Sequence, residues 1–347
     1  MICGVEGLCN VAGVGGQRAL ARLREWGFNV LGAGTAPEFQ GHGWPHLEML
    51  DLRRAGVPLL RRSGVNLPDV FDPDWQEASL ALAVAAHAGP GIAGYVSDMD
   101  LEWGQPPSDG AAPVRPTLLQ VCLSLDPQFA AYHAAWEFVL APRGGELGAL
   151  NRAWALGLPN RETLRQMTLE EQALATPGYL LDHARFTREF AQRYFRVVAA
   201  AVRRADPGRL YFGVPLISSS PAELRETALA HVDVLLSDHV PAGASTCPVL
   251  LRLPSWLPFA DAEPQGEVAP LSRLERMLRG GREHLVAALS HPSVVGYTWT
   301  TYVGGDREQA PFGGVLMYAD GSAASENVEP LRAINAAAAT IHRRAIR

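Results

Sequence analysis

The chain has 347 residues, of which 48% are apolar and 19% charged, a balance that can bury enough surface to offset the entropy of ordering and so excludes a disordered polypeptide. Its formal charge is −6 and it contains no lysine, so every one of its 30 basic side chains is an arginine. A mildly acidic chain lacks the electrostatic footprint of a nucleic-acid binder. No run of about 18 apolar residues exists to span a membrane.

Gly and Pro are abundant, at 34 and 26 residues, which suits many short connections and not a coiled coil. Cys3, Cys9, Cys122 and Cys247 have no CxxC or zinc spacing and read as buried reduced thiols. MICGVEGLCNVAGVGG has no basic segment leading into an apolar run, so the chain as given reads as cytoplasmic, although processing would hide a leader. GVGG at 13–16 is not followed by the Lys-Ser/Thr of a phosphate loop. No cofactor is expected.

In chain order, helix-like segments alternate with short apolar runs. GGQRALARLREWGFNVLGAG reads as a helix carrying Leu20 and Leu23 on one face, ended by a left-handed Gly27, then a strand at Phe28–Leu31. Asn29 there is expected to tie that strand to its neighbours. Further strands are predicted at His46–Leu50, Ile92–Ser97, Leu210–Pro215, Val232–Ser237, Val249–Leu253 and Val294–Thr298, with the first near Cys3–Glu6. The clearest helices are 184–205, with Phe186, Phe190, Tyr194, Val197 and Ala201 on one face, then 268–290, and 327–343 with Leu331, Ile334, Ala338 and Ile341.

Eight strands, each followed by a helix, predict an α/β fold, a single (β/α)8 TIM barrel over 1–347. The stretch at about 104–180, opening on the turn-rich GQPPSDGAAPVRP, is too long for one crossover. It reads as an elaborated loop and helical insertion after the fourth strand, lying over the barrel mouth, with a separate domain as the alternative. Arg61–Arg62 and Arg343–Arg344 read as solvated helix ends. His42, Trp44 and His46 in GHGWPH have tempting spacing but no matching acidic partner, so no metal site is predicted.

Nine phrases in sequence order carry a resemblance: GVEGLCNVAG, LREWGFNVLGAGTAPEF, LPDVFDPDW, GYVSDMDLEWG, ELGALNRAWALG, FAQRYFRVVAAAVRRADPGRLYFG, HVDVLLSDHV, CPVLLRLPSW and HPSVVGYTWTTYVGGD. Together they resemble the clan A glycoside hydrolases, within which they look most like the beta-agarase and beta-galactosidase-like branches, over about residues 4–320. The resemblance implies a barrel that binds an oligo- or polysaccharide at the C-terminal ends of its strands. Its retaining chemistry needs an acid/base carboxyl after the fourth strand and a nucleophile after the seventh, about 5 to 5.5 Å apart.

Both positions depart from the family pattern. Where the family reads close to GYFxDNE, this chain reads GYVSDMD at 94–100, so Asp100 stands for the glutamate and Met99 for the asparagine. Aspartate is one methylene shorter, and a misplacement of about 1 Å can cost a hundredfold in rate. Where the family reads close to KPVxxTEF, CPVLLRLPSW aligns Leu253, beside Arg252, with the nucleophile. The fifth strand ends in Val214 and Pro215 where the family commonly has an arginine.

Two explanations compete. The protein is a divergent or impaired glycosidase, in which other carboxylates have taken over; or it is a non-hydrolytic carbohydrate-binding pseudoenzyme. Candidate catalytic carboxylates are Asp100, Asp98 and Glu102, with Asp238, Asp261 and Glu263 as further mouth candidates; for Asp98, structural hydrogen bonding is the competing role. An inverting mechanism would tolerate about 6.5 to 9.5 Å between them. Candidate sugar contacts are Trp103, Trp256, Trp299 and Tyr302, as flat platforms, and the Asp238–His239 pair, as an acid–base or structural couple.

Overall fold

A computed structural model describes residues 1–8, 16–40, 42–87, 89–99, 101–104, 113–243, 245–253, 255–256, 273–304 and 314–346. Its strands are β1 (Ile2–Val5), β2 (Val30–Leu31), β3 (His46–Leu50), β4 (Leu59–Arg62), β5 (Val65–Pro68), β6 (Ile92–Ser97), β7 (Glu102–Trp103), β8 (Leu210–Gly213), β9 (Leu235–Ser237), β10 (Val249–Leu253) and β11 (Val294–Trp299). Eight of these form one parallel sheet, ordered β8-β6-β3-β2-β1-β11-β10-β9. The two ends of that order meet through Leu216, whose N–H bonds Leu236 O (2.9 Å) and whose carbonyl accepts from Asp238 N (3.1 Å), so the sheet closes. The protein is a (β/α)8 barrel.

The helices are α1 (Gly16–Glu25), α2 (Trp75–Ala86), α3 (Leu118–Leu123), α4 (Ala130–Leu140), α5 (Leu147–Trp154), α6 (Arg161–Leu169), α7 (Pro177–Ala205), α8 (Ala222–Leu229), α9 (Arg273–Leu289) and α10 (Ser325–Ala345). Gly27 ends α1 in the left-handed region (φ 78°), and Phe28 N–H returns to Leu23 O (3.0 Å), the predicted cap. In α7, Pro177 occupies the first turn, where its missing N–H costs nothing, and the helix begins seven residues before the predicted start. Phe186, Phe190, Tyr194, Val198 and Val202 form its buried stripe.

The one-helix-per-strand expectation fails twice among the described residues. After β2 there is only the short 3-10 turn Pro37–Phe39, and between β9 and β10 there is no helix. Only eleven residues separate Ser237 from Val249, too few to leave the strand end, form a helix antiparallel to the sheet and return.

Arg61 and Arg62 are also corrected: they lie in β4, not at a helix end. Ser63 and Gly64 both adopt positive φ (53° and 77°), which makes the two-residue turn whose twist suits an antiparallel hairpin, and Arg62 pairs with Val65 across it. β5 then pairs with β7 to complete a second, three-stranded sheet. Arg343 and Arg344 do sit in the last turn of α10.

The barrel wall separates two apolar environments. Inside, Val30, Leu47, Val96, Phe212, Leu236 and Leu250 belong to a small plug, with Ile2 and Met49 against it. Outside, Cys3, Val5, Leu50, Tyr95, Leu251 and Leu253 join a much larger layer that is continuous with the buried faces of α3 to α7. Period-two alternation produces this division in β1, β3 and β10, while in β6 and β11 it is broken, since Ile92 and Tyr95, and Val294 and Tyr297, share the outer layer. Cys3, Cys122 and Cys247 are buried free thiols, as expected, while Cys9 and residues 13–15 lie outside the described residues. Among the described residues no helix is long and apolar enough to cross a membrane.

Candidate functional site at the barrel mouth

On β1, Cys3 and Val5 face outward, so Ile2, Gly4 and the next residue, Glu6, face the barrel interior. Glu6 thus lies at the C-terminal rim, 4% exposed. Its Oε1 accepts from Thr298 Oγ1 (2.8 Å) at the end of β11, and its Oε2 accepts from Arg252 Nε (3.0 Å) on β10. Gly32, after β2, makes room for it: a Cβ there would stand 2.2 Å from Glu6 Cγ. Three strand ends therefore converge on one carboxylate that sequence reasoning passed over. The signal was present in ICGVE, where alternation from Ile2 through Gly4 carries Glu6 onto the inner face.

The same alternation corrects the proposed nucleophile position. Leu250 belongs to the inner plug, while Val249, Leu251 and Leu253 belong to the outer layer. Leu253 is 5% exposed among side chains behind the sheet; the residue of β10 that reaches the mouth is Arg252. No described inward position of β10 carries a carboxylate.

Asp98 is likewise turned away from the mouth. Its backbone is left-handed (φ 53°), which breaks the alternation after β6. The carboxylate accepts from Leu52 N (2.8 Å) and from the hydroxyl of Tyr194 on α7 (2.7 Å), and it is fully buried. Burial pushes this carboxyl up to about 7, against the lowering effect of the Tyr194 hydroxyl. Beside it, the hydroxyls of Ser97 and Tyr211 share a hydrogen bond of 2.7 Å, so the outer side of the strand end is a closed polar network. Asp98 is a structural anchor here, not a group facing sugar. Met99, by contrast, packs against the inner plug.

Glu102 does not share a face of an extended rim with its neighbours. It is exposed on β7, opposite Asn66 in the three-stranded sheet, because the chain leaves the barrel to pair with β5. Asp100, Asp261 and Glu263 lie outside the described residues.

The four predicted aromatic platforms are all closed to solvent. Trp103 stacks on Phe195 (centroids 6.4 Å apart, planes at 9°) and meets Phe190 and Tyr194 edge-on, so α7 occupies its faces. Trp299 and Trp256 lie 4.7 Å apart in the outer layer; Trp299 Nε1 donates to Gly314 O, and a Cβ on Gly281 of α9 would fall 2.2 Å from the Trp256 ring. Tyr302 packs against Trp26 and is fully buried. A ring whose faces are already covered offers no platform to a sugar unless its neighbours move. A place near a strand end does not say on which side of the sheet a ring falls.

Asp238 and His239, of the six predicted binding residues, alone keep substantial side-chain exposure, 30% and 36%. Asp238 Oδ1 lies 2.9 Å from His239 Nδ1, and Oδ2 accepts from Ser218 N (3.1 Å). Ser237 Oγ also approaches His239 Nδ1 (3.1 Å), so serine and aspartate compete for one nitrogen and the three do not form a proton relay through the ring.

The other end of the barrel is structural. His46 at the start of β3 contacts Glu48 (3.2 Å), and exposed His42 reaches the carbonyl of Glu38 (3.1 Å). Among the described residues no group of three His, Cys, Asp or Glu is arranged to hold a metal. Asn29 receives Cys3 N–H (2.9 Å) and donates to Met1 O (3.0 Å), the predicted tie between the first two strands. A cavity of about 450 Å³ opens at this N-terminal end, lined by Trp44, Pro45, Gly91 and Arg209 among others, on the face that barrel enzymes do not use for chemistry.

No protein-family model matches the chain, and no curated protein matches it. Solved structures do. An exo-beta-agarase superposes with a TM-score of 0.69 at 20% identity over 94% of this chain, and the agarase AgWH50C does so with a TM-score of 0.69 at 20% identity over 98%. A beta-galactosidase from the psychrophilic Marinomonas ef1 follows with a TM-score of 0.62 at 13% identity over 99%. These alignments cover 47%, 51% and 60% of the other chains, so this chain spans about half the length of the agarases it resembles. At such identities the likeness speaks for architecture: the chain carries a (β/α)8 barrel of the kind found in these agarases and beta-galactosidases.

Proposed function

We propose that this protein is a glycosidase-like barrel that binds an oligosaccharide at the C-terminal rim of its strands and whose hydrolytic chemistry is lost or strongly impaired. One observation carries the reading. The inward residue at the end of the seventh barrel strand is Arg252, and it is paired with Glu6. An oxocarbenium-like transition state gains from negative charge at this place, and a retaining mechanism needs a carboxylate nucleophile there. A guanidinium supplies neither.

Glu6 supports the same reading. Both of its oxygens are engaged, by Thr298 and by Arg252, which holds the carboxylate in place and sets its charge against the guanidinium. The agarase and beta-galactosidase likeness supports a carbohydrate as the ligand class, and Asp238 and His239 supply partly exposed polar groups after the sixth barrel strand. We take the helical insertion at about 104–180 as a wall of the cleft.

The second reading keeps hydrolysis, with Asp100 as general acid and a carboxylate other than the family nucleophile. Glu6 is the observation in its favour, being a carboxylate fixed at the rim. A screen of aryl-glycosides and oligosaccharides against the wild type, Asp100→Asn and Glu6→Gln separates the two. Binding without turnover, at rates indistinguishable from buffer, is the expected result. Turnover that Asp100→Asn abolishes would replace the first reading with the second.

A further inference from the structure

We infer that the sugar recognised at this mouth is acidic, carrying a carboxylate or a sulfate, and that Arg252 reads the charge. This rests on the carbohydrate-binding reading above and adds the class of ligand to it. The argument starts from an asymmetry within the ion pair. The Glu6 side chain is 5% exposed, whereas that of Arg252 is 30% exposed, so the anionic member is sunk into the rim and the cationic member faces the opening.

Only one edge of the guanidinium is in use. Nε donates to Glu6 Oε2, and Arg252 makes no other hydrogen bond or ion pair among the described residues. Arginine presents five N–H groups in a planar fork, so the edge formed by the two terminal nitrogens is left to accept a partner. Thr298 fixes the far oxygen of Glu6, so the fork is held in orientation before any ligand arrives.

The surroundings contain no described competitor for it. Asp98 points outward to Tyr194, and Asp238 is taken up by Ser218 N and His239. The inner side chains near the rim include Met49, Met99 and Leu236, an apolar floor that suits the C–H face of a sugar ring. A hydroxyl would also accept from Arg252, but only a carboxylate or sulfate offers two charged oxygens that a guanidinium fork can meet bidentately. The arrangement therefore discriminates in favour of an anionic ring substituent.

The test is calorimetric titration with three oligosaccharides of equal length: a neutral galactose oligomer, a galacturonic acid oligomer and a sulfated galactose oligomer. One acidic oligomer is expected to bind at least tenfold more tightly than the neutral one, and which one it is distinguishes carboxylate from sulfate. In Arg252→Gln that preference should vanish, and Arg252→Lys should keep part of it. Added salt should weaken the acidic arm and leave the neutral arm unchanged. If the neutral oligomer binds as tightly and Arg252→Gln changes nothing, the acidic assignment falls while carbohydrate binding stands. If none of the three binds, both fall. Should Arg252→Gln alone unfold because Glu6 is stranded, the double variant Glu6→Gln/Arg252→Gln leaves no unpaired charge and gives the same readout.

Discussion

The inner and outer faces of the barrel wall differ sharply at the strand ends, although the residues that line them are immediate neighbours in the chain. Arg252 faces the mouth and Leu253 the helices; Thr298 bonds Glu6 inside while Trp299 packs on Trp256 outside; Asp98 is tied to α7 while Met99 joins the inner plug. In each pair a shift of one residue exchanges chemistry for packing. An alignment that is right about the strand can thus be wrong about the side chain, which is what happened at Leu253.

The largest effect expected from this division is at Leu253 itself. Leu253→Glu should not restore a nucleophile, because it buries an unpaired carboxylate in the outer layer, with a loss of about 4 to 5 kcal/mol or failure to fold. Recovery of glycosidase activity in a stable Leu253→Glu protein would break the comparison. Trp299→Ala should come next. Removing a fully buried ring from the Trp256 contact is expected to lose about 3 to 5 kcal/mol in chemical denaturation, with little change in sugar affinity beyond that. A stable variant with weakened sugar binding would instead return Trp299 to the mouth.

Asp98 gives a smaller effect with a pH signature. Asp98→Ala leaves Leu52 N–H and the Tyr194 hydroxyl without their acceptor and should cost about 2 to 3 kcal/mol. Because burial raises the folded carboxyl to about 7 from 3.8, the native state holds a proton that the unfolded chain has released between those values. This residue's contribution to stability therefore falls as pH rises from about 4 to about 7 and is constant outside that window. Asp98→Asn keeps an acceptor for Leu52 and should flatten that part of the urea-midpoint profile. An unchanged slope would show that Asp98 does not titrate there.

The smallest effect lies away from the wall. Gly64→Ala, at φ 77° in the β4–β5 turn, should cost about 1 kcal/mol by thermal melting and leave sugar binding untouched.

Much of the scaffold was legible in advance. All eight barrel strands were read from apolar runs, and β3, β6 and β10 have the predicted limits. The three-stranded sheet was missed, although Ser63–Gly64 between LLRR and VNLP is a hairpin signal; its pairing with Glu102–Trp103 joins segments some forty residues apart and has no local trace. Asp238 and His239, expected as sugar contacts, lie at a partly exposed strand end, while the pairing of Glu6 with Arg252 was not legible. Chemistry was sought in the family's two motif strands, and the pair that meets at the rim joins the first strand to the seventh, 246 positions apart.

Sequence by itself determined the barrel, because strand runs, caps and helical stripes are local patterns of hydrophobicity that hold wherever the segment lies. A resemblance added the expectation that Asp100 and Leu253 stand where two catalytic glutamates would. Tertiary structure alone decided which side of the wall each rim residue occupies. That choice depends on the break within β11, where Val294 and Tyr297 share the outer layer, on the left-handed turn at Asp98, and on partners drawn from distant strands. None of these alters the hydrophobicity of the segment, so a pattern of residue types cannot record it.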